Sequence, residues 1–502
     1  MTKIATSLPT ATIALDRSSA TALYRQLYDQ LRDAILSGRL PPGTRLPSTR
    51  ELADDLDLAR NTVLNAFEQL YAESYLERRV GDGTYVSPQL PDDLLCVKTT
   101  PPTKSNGQPI SKLAEPVSFL STTVANYSGP PRPFRTGTPA LDAFPYKLWG
   151  RLLTRRWSES AREILPYSDS AGYFPLRQAI ASYVATTRGV QCSPEQLIIT
   201  SGSQHALEIV TRTLLEPNDG AWIEDPGFLG ARAALTAARA RLIPVPVDAD
   251  GLNISRGMER CQDPRLIYVT PSHQYPLGMT LSLSRRLVLL KLASQTGAWI
   301  IEDDYDSEFR YVGRPLAALQ GLDTHQRVIY IGTLSKVLFP SIRIGYIIAP
   351  LELFDAFVRL RCLAGHQSPT LEQAVLADFI SEGHFARHIR KMRTLYAERQ
   401  QTLLRAGKTE LNGLVELQPS DTGMHLIGWL PDGVDDQAAF RAATEAGVEV
   451  TPLSAYSIKP PERGALRLGY TGYKPREIWR ATRRLATALR TNQCLAPSGV
   501  RE

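Results

Sequence analysis

The sequence contains few cysteines and no long apolar run. Its five cysteines are odd in number and scattered over 502 residues, which argues against a disulfide framework and is typical of a reducing compartment. No apolar run approaches the ~20 residues that a membrane span needs. The first residues, MTKIATSLPT, have no basic end followed by an apolar stretch, as a secretory signal would. We therefore expect a cytoplasmic protein that does not enter a membrane.

Residues 15–90 contain no lysine, and their acidic residues outnumber their arginines. Residues 15–90 contain nine Arg and no Lys against eleven Asp and Glu, a net charge of −2, while the whole chain carries +6. Bulk charge therefore does not identify a nucleic-acid binder, and any DNA contact must depend on where individual arginines lie. With 43% hydrophobic and 22% charged residues, the chain has enough apolar material for a large globular core in more than one domain.

The texture of the sequence divides the chain into three segments. Residues 15–87 show short helical patterns followed by a hairpin pattern. Residues 88–130 are rich in Pro and Ser and show no lasting period, which predicts a linker. Residues 131–490 alternate short apolar strands with amphipathic helices, and the strands include QLIIT, GAWIED, RLIYV, AWIIEDD and RVIYIGT. This third segment predicts an α/β domain with a mostly parallel sheet covered on both faces.

The first segment predicts three helices and a hairpin. Apolar spacing predicts a helix at about 21–37. Ser48 and Glu51 form a capping-box pattern that starts a second helix, and RNTVLNAFEQL follows as a third. Two short helices with a tight break resemble a helix-turn-helix, whose second helix presents its N-terminal residues to the major groove. Gly81-Asp82-Gly83 predicts the hairpin; a packing module with solvated arginines is the alternative.

The ordered set PPGTRLPSTRELA, RNTV and GDGTYV resembles the GntR-type winged helix. The resemblance implies that this segment binds double-stranded DNA, with the hairpin as the wing. The DNA-contacting residues that it implies are Arg50, Arg60, Asn61 and Thr62. Arginine can hold guanine through two hydrogen bonds, and the amide and hydroxyl suit bases or phosphates. Leu64 stands where some relatives carry a basic residue, so contact at that position is not expected.

The strongest chemical pattern is GTLSKVLFPSIRIGY at 332–346. A lysine that forms a Schiff base must lie at a strand end, in a pocket that can tune its pKa. Thr333 and Ser335 supply hydroxyls beside Lys336, and Arg343 can neutralise a phosphate. Taken alone, a Ser-Lys pair usually marks a surface lysine, so this pattern needs support from elsewhere in the chain.

Three other strand ends supply that support. Asp303 can pair with a pyridinium nitrogen, and Tyr305 can donate to a ring oxygen. Ser203 and Gln204 open a helix whose N-terminus can bind phosphate. Phe228 can stack on a pyridine ring. Four features in one order, each at a strand end, predict a pyridoxal 5′-phosphate (PLP) site, and no metal site is expected.

This order of motifs resembles the fold-type-I aminotransferases, and the whole chain resembles the MocR/GabR regulators. The resemblance implies an aminotransferase-like domain over residues 131–490, with a smaller C-terminal α+β subdomain from about residue 385. It implies that Lys336 carries PLP as a Schiff base, that Asp303 pairs with the ring nitrogen and that Tyr305 meets the ring oxygen. The residues that it assigns to the phosphate are Ser203, Gln204, Thr333, Ser335 and Arg343.

The resemblance also implies a homodimer and a ligand carboxylate site. Tyr167 stands where many such enzymes send a tyrosine to the phosphate of the neighbouring subunit. Arg467, in GALRLGY, stands where aminotransferases bind the substrate carboxylate. A surface arginine on an edge strand is the alternative for Arg467.

Two positions depart from the aminotransferase pattern. Tyr275 stands where an asparagine usually touches the ring oxygen, so Gln274 or His273 substitutes for it or the contact is lost. Gly230 stands where some relatives have an arginine for the ligand carboxylate, and Arg232 lies two residues further on. The identity of the effector therefore cannot be copied from those relatives.

Three functions remain open at this point. The first is a transcription regulator that reads an operator with two half-sites and senses an amine or amino acid, or PLP itself. The second is a working aminotransferase with an appended DNA-binding domain, and the third is a structural domain with a dead cofactor site. The winged helix favours regulation, because an enzyme needs no DNA reader. The intact Lys336, Asp303 and Arg343 argue against the third.

Overall fold

The Pro-rich segment separates two structural units. The computed structural model describes residues 13–79, 81–90, 131–313, 316–365 and 367–491. One unit lies within Met1–Ser111 and the other within Lys112–Glu502. Most of the predicted linker at 88–130 lies outside the described residues, so its boundaries stay predictions.

The first unit has the three helices and the hairpin that the sequence predicts. Its elements are α1 (Leu23–Leu36), β1 (Arg45–Leu46), α2 (Thr49–Asp55), α3 (Arg60–Ala72), β2 (Leu76–Arg79) and β3 (Gly83–Val86). The strands form an antiparallel sheet in the order β1-β3-β2. The predicted capping box starts α2, because the Glu51 N–H donates to Ser48 Oγ and the Ser48 N–H donates to the Glu51 carboxylate. Leu27 and Leu31 of α1 share a core with Val63 and Phe67 of α3.

The second unit is a helix-covered sheet followed by a smaller sheet. Its longer elements are α4 (Tyr146–Ile164), α5 (Phe174–Arg188), β4 (Leu197–Thr200), α6 (Ser203–Leu214), β5 (Gly220–Asp225), α7 (Leu229–Ala237), β6 (Arg241–Asp248), β7 (Gly251–Leu252), α8 (Ile254–Arg260), β8 (Leu266–Val269), α9 (Leu283–Thr296), β9 (Trp299–Asp304), β10 (Val328–Thr333), β11 (Gly345–Ile348), α10 (Leu351–Gly365), α11 (Thr370–Ser381), α12 (His384–Glu410), β12 (Glu416–Leu417), β13 (His425–Trp429), α13 (Asp436–Glu445), β14 (Thr451–Pro452), β15 (Ala465–Gly469) and α14 (Pro475–Thr491). Short 3₁₀ turns lie at Leu141–Ala143, Pro194–Gln196, Gln320–Leu322, Pro340–Ile342 and Leu453–Tyr456.

The large sheet has eight strands in the order β4-β11-β10-β9-β8-β5-β6-β7. The neighbours from β10 to β6 in this order pair in parallel. Strand β11 runs antiparallel to both β10 and β4, and β7 runs antiparallel to β6. The sheet is therefore mostly parallel, as the sequence predicts. The strand QLIIT pairs with an antiparallel neighbour that its apolar pattern does not reveal.

The continuous apolar character of these strands follows from burial on both faces. Alternate residues of β4 lie in different cores, with Leu197 and Ile199 in one and Ile198 in the other. In β10, Tyr330 lies in the first core, while Ile329 lies in the second. Successive side chains of a strand point to opposite faces, so a sheet with helices on both faces needs apolar residues at every position.

The C-terminal part of this unit begins with the long helix α12. A four-stranded antiparallel sheet follows it, in the order β12-β13-β15-β14, with α13 and α14 beside it. This part has the α+β character that the resemblance implies, and the expected start at about residue 385 stays a prediction. Within the described residues, no helix combines the length and the apolar character needed to cross a bilayer.

Candidate functional site

The third helix of the N-terminal unit carries three of the four residues that were predicted to contact DNA. Helix α3 begins at Arg60, and its N-cap residue Ala59 makes no side-chain capping hydrogen bond. Arg60 and Asn61 are exposed, and Thr62 is half-buried in the same first turn. The positive dipole end of the helix at this turn favours a phosphate. The arrangement suits the major groove, with Arg60 available for a base edge.

The rest of this surface adds arginines that sequence reasoning did not single out. Arg50 is exposed on α2, as expected for a DNA contact, whereas Leu64 is half-buried. On the β2–β3 hairpin, Arg78 lies over the Tyr71 ring at 4.5 Å and Arg79 over the Tyr85 ring at 4.2 Å. These two arginines lie in the ERRVGDG stretch itself. The turn residues Gly81-Asp82-Gly83 predict the hairpin but do not indicate a role for these arginines.

One cavity of about 310 Å³ in the second unit contains every predicted cofactor residue. It is lined by Ser203, Gln204, Phe228, Asp303, Tyr305, Thr333, Ser335, Lys336, Arg343 and Arg467, together with residues that the sequence did not single out. Asp303, Thr333, Ser203 and Phe228 lie at or just beyond the carboxyl ends of strands. Ligands of open α/β sheets bind at this edge, so the fold brings together motifs that are distant in sequence.

Lys336 extends into this cavity from the turn after β10. Its Nζ donates a hydrogen bond to the Gly137 carbonyl oxygen over 3.4 Å. Burial lowers the pKa of Lys336 to about 8, and the positive charge of Arg467 acts in the same direction. Since a neutral amine is the nucleophile in Schiff-base chemistry, this lowering raises the reactive fraction of Lys336 near neutral pH.

Asp303 is a buried carboxylate with one oxygen bonded and the other turned to the cavity. The Tyr268 hydroxyl donates to Oδ2 over 2.8 Å, while Oδ1 has no hydrogen-bond partner among the described residues. Burial raises the pKa of Asp303 to about 7, although the Tyr268 hydrogen bond opposes the rise. A buried carboxylate without a second partner calls for a cationic or N–H donor. A protonated pyridine nitrogen meets that need.

A cradle for an anion lies at the start of α6. Gly202 precedes the helix with φ +107°, and a Cβ at this glycine would lie 3.4 Å from the Arg343 guanidinium. Ser203 opens the helix, and Ser335 Oγ has no partner among the described residues although it is buried. A helix N-terminus, a guanidinium and hydroxyls form a typical phosphate site. Together with Lys336 and Asp303, this donor set fits PLP.

Neither of the two residues expected as substitutes for the missing asparagine reaches the cavity. Tyr275 lines the cavity, whereas Gln274 and His273 do not. Gln274 Nε2 donates to the carbonyl oxygens of Pro226 and Tyr275, so its amide is turned away. His273 Nδ1 lies 2.9 Å from the Tyr305 hydroxyl oxygen. His273 therefore reaches the cavity only through Tyr305.

Arg467 is not a surface arginine on an edge strand. Its exposed fraction is 3%, and its strand β15 lies between β13 and β14. Its Nη2 donates to Thr136 Oγ1. Its guanidinium carbon lies 4.6 Å from the Tyr275 ring centroid and 4.8 Å from the Tyr456 ring centroid. Aromatic faces hold a cation in this way, so Arg467 is fixed at the cavity wall beside Lys336.

Three further positions from the sequence do not line the cavity. A Cβ at Gly230 would lie 2.5 Å from the Phe228 ring, so this position has no room for a side chain. Arg232 does not line the cavity. Tyr167 is 92% exposed, and its contact with a neighbouring subunit stays a prediction.

Sequence reasoning missed several cavity residues for identifiable reasons. Asp306 lies three residues after Asp303 in the same stretch, and only its packing against His273 shows its place. Tyr268 is the usual apolar-looking residue of a buried strand, with no local sign that its hydroxyl meets Asp303. Thr136 and Gly137 lie about 200 residues from Lys336 in sequence and carry no motif. A contact of that sequence separation becomes visible only in the folded chain.

Two family models match the chain, one for each unit. Residues 145–485 match "Aminotransferase class I and II", and residues 23–86 match "Bacterial regulatory proteins, gntR family". Class I and II aminotransferases are PLP-dependent enzymes. The fold and the site therefore define an aminotransferase-like domain that follows a winged-helix DNA-binding domain.

Relatives with both units are named as regulators. The chain is 42% identical over 475 residues to the probable rhizopine catabolism regulatory protein MocR of Rhizobium meliloti, covering 93% of each chain. It is 32% identical to the pyridoxine biosynthesis transcriptional regulator PdxR of Corynebacterium glutamicum, covering 88% of this chain and 91% of that one. The chain belongs to the MocR-type family of HTH transcriptional regulators.

Solved aminotransferases resemble the second unit. The α-aminoadipate aminotransferase LysN of Thermus thermophilus gives a TM-score of 0.68 at 29% identity. The match covers 76% of this chain and 96% of that one. The similarity extends over nearly a whole aminotransferase chain, which confirms the expected fold class.

Proposed function

We propose that this regulator carries PLP on Lys336 and changes its operator binding when an amine-bearing metabolite, or PLP itself, occupies the cavity. The observation that supports this most is the meeting of Lys336, Asp303 and Arg343 in one cavity. Each supplies a different group that PLP needs, namely an amine, a carboxylate and a phosphate ligand. Asp303 comes from the end of β9, whereas Lys336 and Arg343 come from the segment between β10 and β11.

The cavity residues divide the work of holding a cofactor and a ligand. PLP, when bound, supplies a carbonyl group for an amine and an electron-withdrawing ring. Lys336 provides the amine that attaches the cofactor, Asp303 keeps a proton on the ring nitrogen, and Arg343 neutralises the phosphate. Tyr305 donates to the ring oxygen, and Phe228 covers the ring face.

The amine of a ligand can compete with Lys336 for the carbonyl group of PLP. A carboxylate on the same ligand can pair with Arg467. Because Arg467 is fixed by Thr136 and two tyrosines, little conformational freedom is lost when a carboxylate binds to it. Displacement of Lys336 leaves its side chain free, which gives the cavity two distinct states.

The DNA-binding function is assigned to the first turn of α3 and to the wing. We infer a homodimer that reads two half-sites, with Arg50, Arg60, Asn61 and Thr62 as the contacts of each copy. Trp157, Leu165 and Tyr167 of the second unit are more than half exposed. Large apolar groups on a surface favour burial against another protein, and a second copy of this chain satisfies them.

The relatives give each sensing alternative a precedent in name. MocR is named for the regulation of rhizopine catabolism, and PdxR for the regulation of pyridoxine biosynthesis. A titration of the PLP-loaded protein with a panel of amines and amino acids, followed through the visible absorbance, tests the first alternative. An amine that displaces Lys336 shifts the band. If no amine shifts the band, the cofactor itself is the remaining signal.

A working aminotransferase is the second candidate, because the cavity keeps the residues that transamination uses. We expect turnover that is slow or absent, since Tyr275 stands where enzymes place the asparagine. The measurement is multiple turnover with an amino donor and an oxo-acid acceptor. A rate near the ~10 s⁻¹ of an ordinary enzyme would favour the enzyme over the sensor.

A further inference from the structure

A buried cluster of three polar side chains lies behind the cavity wall. His273 Nδ1 lies 3.0 Å from each carboxylate oxygen of Asp306 and 2.9 Å from the Tyr305 hydroxyl oxygen. Asp306 is fully buried and His273 is 2% exposed. Tyr305 and Asp306 line the cavity and His273 does not. One ring nitrogen therefore meets two possible partners.

The two distances to Asp306 favour a proton on Nδ1 over one on the carboxyl group. A protonated Asp306 that donated to Nδ1 would bring one oxygen close and leave the other distant. Two equal distances of 3.0 Å instead describe a single N–H shared between both oxygens of a carboxylate. Nδ1 then carries hydrogen and cannot accept from Tyr305. The Tyr305 hydroxyl oxygen can then only accept a hydrogen bond from Nδ1–H. Its own proton is therefore free to point into the cavity.

The surroundings keep His273 in this place. A Cβ at Gly423 would lie 2.0 Å from His273 Cε1, and a Cβ at Gly278 would lie 3.1 Å from Nε2. Both glycines have φ above +90°, which favours glycine there for a second reason. The ring of His425 lies 5.4 Å from that of His273. His273 therefore packs closely against both glycines and the His425 ring, so side chains at positions 278 and 423 would displace it from Asp306.

Burial and neighbouring charges shift the pKa values of the groups in and around this cluster. Burial raises the pKa of Asp306, and the charge of Asp304 acts in the same direction, whereas His273 and Lys336 lower it. Burial raises the pKa of Tyr305, which keeps the phenol protonated, while Arg467 opposes this rise. Burial and Arg467 lower the pKa of His425, so that ring is neutral. Tyr305 is thus a neutral donor over the pH range in which the protein is handled.

We propose that His273, held by Asp306, is a positioning residue that turns the Tyr305 hydroxyl proton into the cavity, toward the ring oxygen of the cofactor. The proposal rests on the proposed function, because it assigns that oxygen to PLP. It also explains how the ring oxygen can keep a donor although Tyr275 stands where aminotransferases have an asparagine. Where the asparagine is missing, Tyr305 is the donor that remains, and the His273–Asp306 pair fixes its direction.

Asp306→Asn tests the proposal, because a neutral amide holds the proton on Nδ1 less strongly than a carboxylate does. The nitrogen can then accept from Tyr305, and the hydroxyl leaves the cavity. Loss of a hydrogen bond to an anionic oxygen raises the pKa of the visible band of the PLP-bound protein by about one to two units. Tyr305→Phe gives the same rise. Adding His273→Phe to Asp306→Asn removes the acceptor and returns the pKa toward the parent value.

A purely structural role predicts a different pattern. In that case Asp306→Asn leaves the band pKa at the parent value while Tyr305→Phe raises it, or the added His273→Phe fails to reverse the rise. Either result overturns the proposal. Thermal unfolding of each variant shows whether the fold is kept.

A second readout uses the parent protein without cofactor. Selective ¹⁵N labelling of histidine, with the His273 signal assigned through its loss in His273→Gln, reports which ring nitrogen is protonated. We expect a proton on Nδ1, and an unprotonated Nδ1 overturns the proposal even if the Asp306 and Tyr305 variants do not fold. A parent protein that binds no PLP would contradict the proposed function instead, and the ¹⁵N result would still stand.

Discussion

Replacing Lys336 by alanine abolishes the visible absorbance band of the protein incubated with PLP. The Lys336 side chain extends into the cavity, where its Nζ makes one hydrogen bond over 3.4 Å. Its removal deletes the amine that attaches the cofactor but little packing. We therefore expect the unfolding midpoint of the cofactor-free protein to stay close to that of the parent. The measurements are an absorbance spectrum and a thermal unfolding curve.

Lys291→Ala is the matched control, because Lys291 is exposed on α9. It should keep the parent spectrum under the same conditions. An unchanged band in Lys336→Ala would show that another lysine carries the cofactor. A parent protein without any such band would contradict the cofactor assignment as a whole.

Replacing Arg60 by alanine weakens specific operator binding by ~1–3 kcal/mol, which is about 5- to 150-fold in Kd. Arg60 is exposed at the first residue of α3, where a side chain can reach a base edge. The N-terminal segment has a net charge of −2. Its overall charge therefore does not attract DNA and cannot compensate for the lost Arg60 contact. A retardation assay with operator and with unrelated DNA measures both affinities.

The loss should be larger for operator than for unrelated DNA if Arg60 reads a base, and equal for both if it only meets phosphate. Arg25→Ala is the control, since Arg25 lies on α1 and is already paired with Asp29. Parent-like binding by both Arg60→Ala and Arg50→Ala would show that the recognition helix has been wrongly assigned.

The buried strands and the cofactor motif could be predicted because each carries its signal locally. The strand AWIIEDD begins with successive apolar residues because both faces of β9 are covered. Asp303 could be predicted as a site residue because it lies near the end of this strand. Lys336 is flanked by hydroxyls within three residues. The capping box at Ser48 is likewise local, and the structure has it as predicted. Local patterns of this kind can be recognised without knowledge of the tertiary fold.

The parts that could not be predicted depend on distant contacts. Strand β11 looks like any other apolar strand, and only its neighbours β4 and β10 make it antiparallel. The resemblance singled out Arg467, but its burial and its hydrogen bond to Thr136, which is 331 positions away, become visible only in the folded chain. The role of Tyr275 was open because the direction of the preceding side chains, Gln274 and His273, is set by Pro226 and Asp306.

Operator affinity in three states tests the central claim, that occupancy of the PLP cavity controls DNA binding. The states are cofactor-free protein, PLP-loaded protein, and PLP-loaded protein with each member of an amine and amino-acid panel. Couplings between two sites are typically ~1–3 kcal/mol, so we expect Kd for the operator to differ by about 5- to 150-fold between at least two states. Equal affinity in all three states, across the whole panel, would contradict the account.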